Sequence, residues 1–149
     1  MNKENLAILA EHLRTVNPKK FSMLDFRFSH VFGKTMPVEY IEAGDCGHGG
    51  DPLGHAVFCR GLAPAKSDFI VTGLVGKRRL DFIRYGERTF GLAHTSSHWN
   101  WVFSPDWYMV DNSPISAAQR IEYLIEYGRP PKDWAIQLRN VAKVSKRHG

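Results

Sequence analysis

The chain has 149 residues, of which 43% are hydrophobic and 23% are charged. This length and balance are typical of one soluble globular domain and indicate neither a disordered chain nor a membrane protein. No apolar run approaches the ~20 residues that span a bilayer. The first residues lack the basic head and apolar core of a signal peptide. We therefore expect a single domain, residues 1–149, that does not enter a membrane and that resides in a cytoplasm.

The charge is mildly basic, because 20 Lys and Arg face 15 Asp and Glu, for a net charge of +5. Such a balance favours anionic partners, nucleic acid among them. The basic clusters are small, and clusters of this size are usually a solvated face or a helix end. A nucleic-acid-binding face remains an alternative, and its phosphate contacts would come from Lys77, Arg78 and Arg79, together with Arg84 and Arg88.

The N-terminal part begins with a predicted helix. Asn2 is a suitable N-cap, and an apolar stripe at three- and four-residue spacing follows until Asn17-Pro18 ends the helix; the stripe consists of Leu6, Leu9, Leu13 and Val16. Residues 21–28 are aromatic and short. We expect them to be extended or to form one helical turn, with Phe21, Met23 and Phe26 in the core.

The middle of the chain contains the predicted central helix. Asp51 as N-cap and Pro52 at the first position predict a helix start, and Gly61 predicts its end after Arg60. The apolar residues around most of its circumference indicate that this helix is buried. Short strands are predicted at Val38–Glu42 and Phe69–Thr72, with a helical turn as the alternative for Phe69–Thr72.

The C-terminal half is predicted to be helical. Apolar spacing from Lys77 to Phe90 predicts a helix that Gly86 weakens. A short helix follows, capped by one of residues 95–97 and carrying Trp99, Val102 and Phe103 on one face. The strongest pattern predicts a helix over Pro114–Tyr127, with Ser113 as N-cap and Gly128 as its end.

A last amphipathic helix is predicted after Pro131, with Trp134, Leu138 and Val141 facing the core and a frayed basic tail over residues 140–149. Taken together, these elements predict a mainly α, compact, single-domain fold with at most one or two short strands.

Four side chains that bind soft metals are concentrated around the central helix, namely Cys46, His48, His55 and Cys59. His55 and Cys59 are four residues apart, so a helix would place them on one face, and the set could hold zinc. Cys46 could instead be a nucleophile activated by His48 or His55, or it could pair with Cys59 in an oxidising compartment. The remaining interpretation is structural: Cys59 packs as a small apolar group, and His55 makes buried hydrogen bonds. We expect no catalytic set and no cofactor, with zinc as the candidate metal.

Aromatic residues are dense between Trp99 and Tyr108. This density is more typical of core packing than of base stacking. Should Trp107 and Tyr108 be exposed beside Pro105, they would be anchors for a protein partner.

Several short segments resemble a family of small uncharacterised phage and bacterial proteins. The segments are Phe-Ser-Met at 21–23, Cys46-Gly47 leading to Gly54-His55-Ala56, Phe-Gly-Leu at 90–92, Phe103-Ser104, and Ser113-Pro114 followed by Arg120-Ile121. In that family a Cys-Gly-Thr segment runs through a second Cys to Gly-His-Ala. Here His48 stands in place of the Thr and Asp51 in place of the second Cys, so a shared thiol pair is not expected.

The resemblance implies a phage or mobile-element origin and no particular activity. The leading hypothesis is a non-enzymatic accessory protein that binds a host protein stoichiometrically, for example to inhibit a host defence complex in the host cytoplasm. The alternatives are a nucleic-acid-binding protein and a Cys46-dependent enzyme. The sequence leaves the oligomeric state open.

Overall fold

The computed structural model describes residues 1–23, 28–31, 34–35, 48–49, 51–57, 59–62, 75–136 and 138, with the backbone alone in 28–31, 34–35, 48–49 and 75–81. The fold is mainly α and compact, as predicted. The helices, in chain order, are α1 (Lys3–Thr15), α2 (Pro52–Ala56), α3 (Val75–Phe90), α4 (Ser97–Phe103) and α5 (Pro114–Tyr127). Short 3-10 turns over Pro18–Lys20 and Pro105–Met109 follow α1 and α4.

Helices α1 and α5 have the ends that the sequence predicts. The Asn2 side chain accepts a hydrogen bond from the Asn5 amide at the start of α1, and Ser113 caps α5 in the same way through Ser116. Gly128 ends α5 with a left-handed backbone at φ 72°, a conformation that glycine adopts without a steric penalty. These two helices form the most extensive helix pair among the described elements.

Helix α2 is the predicted central helix, and it contacts α1, α3 and α4. All of its residues are buried, and the Asp51 carboxylate caps it by accepting a hydrogen bond from the Gly54 amide at 2.9 Å. The helix is shorter than predicted, because it ends at Ala56 rather than at Arg60. The Cys59 amide bonds to the Ala56 carbonyl three residues back, so the chain tightens into a turn there.

Helices α3 and α4 pack closely at Gly86. A Cβ atom at this position would lie 2.6 Å from Leu53 Cδ2 and 2.6 Å from Trp99 Cη2. The prediction that Gly86 only weakens α3 was therefore incomplete, since its missing side chain is what lets α2 and α4 approach the helix. The N-cap of α4 is Ser96, one of the three predicted candidates.

A small antiparallel sheet accompanies the helices, with the strand order β2-β1-β3. Its strands are β1 (Phe28–Val31), β2 (Lys34–Thr35) and β3 (His48–Gly49). His30 pairs with Thr35 across β1 and β2, and Ser29 pairs with His48 across β1 and β3. The strands predicted at 38–42 and 69–72 lie outside the described residues.

The core contains the predicted apolar stripes, including Leu6, Leu9 and Leu13 of α1 and the side chains of Phe21 and Met23. Phe26 and Val141 lie outside the described residues, as does the basic tail over 140–149. Residues 134–136 and 138 are helical, at the start of the predicted last helix. In the part of the chain that the structure describes, no helix is long and apolar enough to cross a membrane.

The contact at Gly86 gives a prediction about stability. We expect Gly86→Ala to lower the free energy of unfolding by about 1–3 kcal/mol, because the added methyl group overlaps Leu53 and Trp99. Alanine is the better helix former, so propensity alone predicts the opposite sign. Urea unfolding measures the change, and Arg84→Ala on the exposed face of α3 is the control. A Gly86→Ala protein as stable as wild type would contradict this account of the packing.

Candidate functional site

His55 lies in the core beside α1. Its Nε2 atom is 2.9 Å from the carbonyl oxygen of Lys20, so Nε2 carries the proton and donates it. The ring stacks at 16° on Phe21, with the centroids 6.2 Å apart, and it contacts the ring of His12 at 5.8 Å. The 3-10 turn that contains Lys20 also contacts β3. The structure thus brings His55 and the backbone of His48 to the same turn.

Cys59 is a free, buried cysteine that follows α2. Its thiol donates to the carbonyl oxygen of Arg60 at 3.4 Å. Burial raises the pKa of the Cys59 thiol, and the carboxylate of Glu11 raises it further. The thiol is therefore protonated at neutral pH and a poor nucleophile. Because α2 ends at Ala56, Cys59 is not on one helical face with His55, which removes the spacing argument for a shared metal ion.

The described residues contain no group of three or more side chains arranged to hold a metal ion. Cys46 lies outside the described residues, and His48 is described by its backbone alone. The backbone of His48 belongs to strand β3. Zinc binding and Cys46-dependent catalysis both stay predictions, and His55 contributes a hydrogen bond to the backbone in either case.

Trp107 lies at the centre of an aromatic cluster rather than on the surface. Its exposed fraction is 8%, and its Nε1 atom donates to the Asn100 carbonyl at 3.2 Å. The ring makes a T-shaped contact with Trp101 at 5.3 Å and stacks on Trp134 at 6.0 Å. Trp107 is therefore too buried to be an exposed anchor for a protein partner, whereas Tyr108 is exposed.

Arg120 is buried against this cluster, with an exposed fraction of 6%. Its guanidinium carbon is 4.4 Å from the centre of the Trp107 ring, and Nη2 approaches the sulfur of Met23 at 3.6 Å. Among the described residues its Nε atom has no hydrogen-bond partner. Burial lowers the pKa of Arg120 to about 10, partly opposed by the charge of Asp111. Arg120 is thus a desolvated cation held by an aromatic face and not by a carboxylate.

The 3-10 turn and the loop behind it present apolar side chains to solvent. Tyr108, Met109, Val110 and Ile115 are 41%, 48%, 40% and 50% exposed. They are four of the seven large hydrophobic residues that are exposed in the described part of the chain, the others being Met1, Tyr127 and Ile136. We call these four residues the 108–115 surface.

The backbone beneath the 108–115 surface is fixed by hydrogen bonds. The amides of Val110 and Asp111 both donate to the Trp107 carbonyl, at 3.0 and 2.9 Å. The Asp111 carboxylate accepts from the Ser116 hydroxyl, and the Asn112 side chain accepts from the Met23 amide at 2.7 Å. The backbone that carries the exposed apolar side chains is therefore ordered, and it is held by the carbonyl of the buried Trp107.

The predicted basic residues lie on α3. Lys77, Arg84 and Arg88 are spaced seven and four residues apart, which places them on one face of the helix. Arg84 and Arg88 are exposed. Arg78 and Arg79 are in the first turns of α3 but at other angles around the helix. The structure thus supports a short basic stripe and not the full predicted cluster.

Sequence reasoning missed Arg120 and most of the 108–115 surface. The position of Arg120 could have been found, because it is three residues after Ala117 and four before Leu124, and apolar residues at this spacing indicate the buried face of a helix. The exposure of Met109, Val110 and Ile115 has no comparable signal, since Met, Val and Ile are among the residue types that are most often buried.

Comparison with known proteins gives no assignment: no family model, no curated protein and no solved structure matches the chain.

The burial of His12 predicts a pH dependence of stability. Desolvation lowers the pKa of His12, so the unfolded chain binds a proton more readily than the folded chain. The free energy of unfolding should therefore fall as the pH falls from about 7.5 to about 5. His12→Phe keeps an aromatic ring beside His55 and should reduce this slope, measured by urea unfolding across the pH range. An unchanged slope would show that other groups cause it.

The environment of Arg120 predicts an unusual ranking of variants. Arg120→Met removes the desolvated charge and keeps a flexible apolar chain beneath Trp107, so we expect a change in the free energy of unfolding below about 1 kcal/mol. Arg120→Lys buries a more strongly hydrated cation with no partner and should lose more than about 2 kcal/mol. Chemical denaturation measures both. The account fails if lysine is tolerated as well as methionine.

Proposed function

We propose that this chain is a non-enzymatic accessory protein, encoded by a phage or mobile element, that binds a host protein stoichiometrically in the host cytoplasm. The observation that carries the proposal is the 108–115 surface. Tyrosine and methionine are enriched at protein interfaces, and exposed apolar groups that are concentrated in one segment mark an interaction site.

Preorganisation supports binding by this surface. The segment is held from below by the Trp107 ring and by backbone hydrogen bonds, so little conformational entropy remains to be lost when a partner docks. A mobile apolar loop of the same composition would bind more weakly.

The charge around the surface specifies the partner. Asp106 and Asp111 flank the apolar side chains, and between Gly91 and Gly128 Arg120 is the sole Lys or Arg. Arg120 is buried, so this segment exposes carboxylates and no Lys or Arg. The fitting partner is a protein with an apolar centre and a rim of Lys and Arg, since complementary rims set specificity and the rate of association. A host defence complex is the partner class that the phage resemblance favours.

A second candidate function is nucleic-acid binding through α3, supported by the stripe formed by Lys77, Arg84 and Arg88. Three cations on one helix face suit a phosphate backbone. Asp81 lies four residues after Lys77 and three before Arg84, on the same side of α3. This carboxylate reduces the positive potential of the stripe, so we rank nucleic acid below protein.

Enzymatic function receives the least support. The protonated, buried thiol of Cys59 is not a nucleophile, and His55 donates to a backbone carbonyl. An enzyme with a cysteine nucleophile would therefore have to use Cys46.

Recovery of the tagged chain from nuclease-treated host lysate tests the leading proposal. We expect one host protein at a near-equal molar ratio with wild type, and a loss of at least about tenfold with the double variant Met109→Lys and Ile115→Lys, because a buried unpaired ammonium opposes docking. The matched control is Ile136→Lys, the same change at a residue that is 52% exposed elsewhere.

The proposal is wrong if nothing is retained at a near-equal ratio, or if the double variant retains as much as the control. Nuclease treatment separates the two candidates, since a complex held together by nucleic acid is lost in that step for every variant. Circular dichroism of each variant confirms that the fold is retained.

A further inference from the structure

A groove between α1 and α5 lies outside the 108–115 surface. The groove encloses about 380 Å³ and is lined by Ala7, Ala10, Glu11, Arg14, Glu122, Ile125 and Glu126. Its walls belong to the most extensive helix pair of the described fold. One of its lining residues, Glu11, also raises the pKa of the Cys59 thiol.

The floor of the groove is small and apolar. Ala7 and Ala10 project from α1 only as methyl groups, and Ile125 of α5 is half-buried beside them. Small side chains let another helix approach closely, so that its ridge of side chains enters the space between α1 and α5. A flat surface of long side chains would keep a third helix at a distance.

The rim of the groove carries uncompensated negative charge. Arg14 binds Glu122 through two hydrogen bonds of 2.7 and 2.8 Å, so these two charges cancel. Glu11 and Glu126 have no hydrogen-bond or ion-pair partner among the described residues. Glu11 and Glu126 therefore line the groove without a partner among the described residues, beside an Arg14 that is already bound to Glu122.

The groove is continuous with the 108–115 surface along α5. Ile115, Gln119, Glu122 and Glu126 are spaced four, three and four residues apart, which places them on one helix face, and each is at least partly exposed. Eleven residues separate the first from the last, or about 16 Å of helix. One partner helix of three to four turns can cover both ends.

We infer that the groove between α1 and α5 binds a lysine- or arginine-bearing amphipathic helix of the partner protein. The apolar face of that helix packs on Ala7, Ala10 and Ile125, and its cations pair with Glu11 and Glu126. This inference rests on the proposed function, because it assigns the kind of structure by which a protein partner is recognised. Helix-in-groove binding of this type uses anchors at helical spacing.

A defined probe tests the groove without knowledge of the partner. The probe is a fluorescent amphipathic peptide of about 18 residues, with leucine on one face and lysine on both flanks. The matched peptide has glutamate in place of each lysine. We expect the lysine peptide to bind, the glutamate peptide not to bind, and the affinity of the first to decrease with added salt.

Three variants of the full chain localise the binding. Glu126→Lys should weaken it at least about tenfold, because one attraction becomes a repulsion. Ala7→Trp should weaken it to a similar degree by filling the groove while leaving every charge in place. The control is Glu4→Lys, the same charge change at an exposed position of α1 outside the groove.

The inference is overturned if the lysine peptide does not bind, or if Glu4→Lys weakens binding as much as Glu126→Lys, which would indicate diffuse charge attraction. It is also overturned if Ala7→Trp binds as tightly as wild type. None of these results bears on the 108–115 surface: a host protein that is lost only with the Met109 and Ile115 double variant would leave the proposed function intact and remove the groove from it.

Discussion

The close approach of three helices at Gly86 is the constraint on which the other features depend. Because position 86 has no Cβ atom, Leu53 of α2 and Trp99 of α4 both reach the surface of α3. Trp99 fixes the register of α4, and α4 in turn supplies Trp101 and the carbonyl of Asn100 that hold Trp107. The ordered support of the 108–115 surface is therefore a consequence of packing on the opposite side of α4, and a change at Gly86 would reach the proposed binding surface through Trp99.

The burial of the Arg120 charge is the second feature that organises the structure. The only Lys or Arg between Gly91 and Gly128 is Arg120, and it is withdrawn from solvent beneath Trp107. A guanidinium tolerates this position because it is weakly hydrated and stacks on an aromatic face. Its burial removes the one cation of the Gly91–Gly128 segment from solvent, while Asp106, Asp111 and Glu126 of this segment stay exposed, and the proposed basic partner follows from these carboxylates.

The sequence predicted elements whose signals are local. Caps and stop residues determine the ends of α1, α4 and α5, so these helices were predicted within a residue or two. The end of α2 depends on a turn between Ala56 and Cys59 that no cap marks. The strands β1 to β3 are two to four residues long and are formed by pairing across the chain, which leaves no periodicity to read.

The candidate site was less predictable for a related reason. Cysteine and histidine, as at Cys46 and His55, are the residues that a sequence offers first as candidates for chemistry. In the structure, His55 donates a hydrogen bond to a backbone carbonyl and Cys59 packs as an apolar group. The groove and the 108–115 surface consist of common residues. The two alanines and the isoleucine of the groove come together only because α1 packs against α5. Candidate catalytic and metal-binding residues can be found in a sequence by their residue type. A candidate interface cannot, because it depends on which common residues stay exposed once the chain has folded.

The net charge of the chain and the charge around its proposed interface suggest different kinds of partner. A value of +5 suggests an anionic partner, because the sum includes basic residues distributed over the whole chain. Among the described residues the charges are unevenly arranged, with Lys77, Arg84 and Arg88 on one face of α3 and Glu122 and Glu126 on the exposed face of α5. Carboxylates attract a basic protein and repel nucleic acid, so the local charge around a surface, and not the total, bears on which of the two proposed partners fits it.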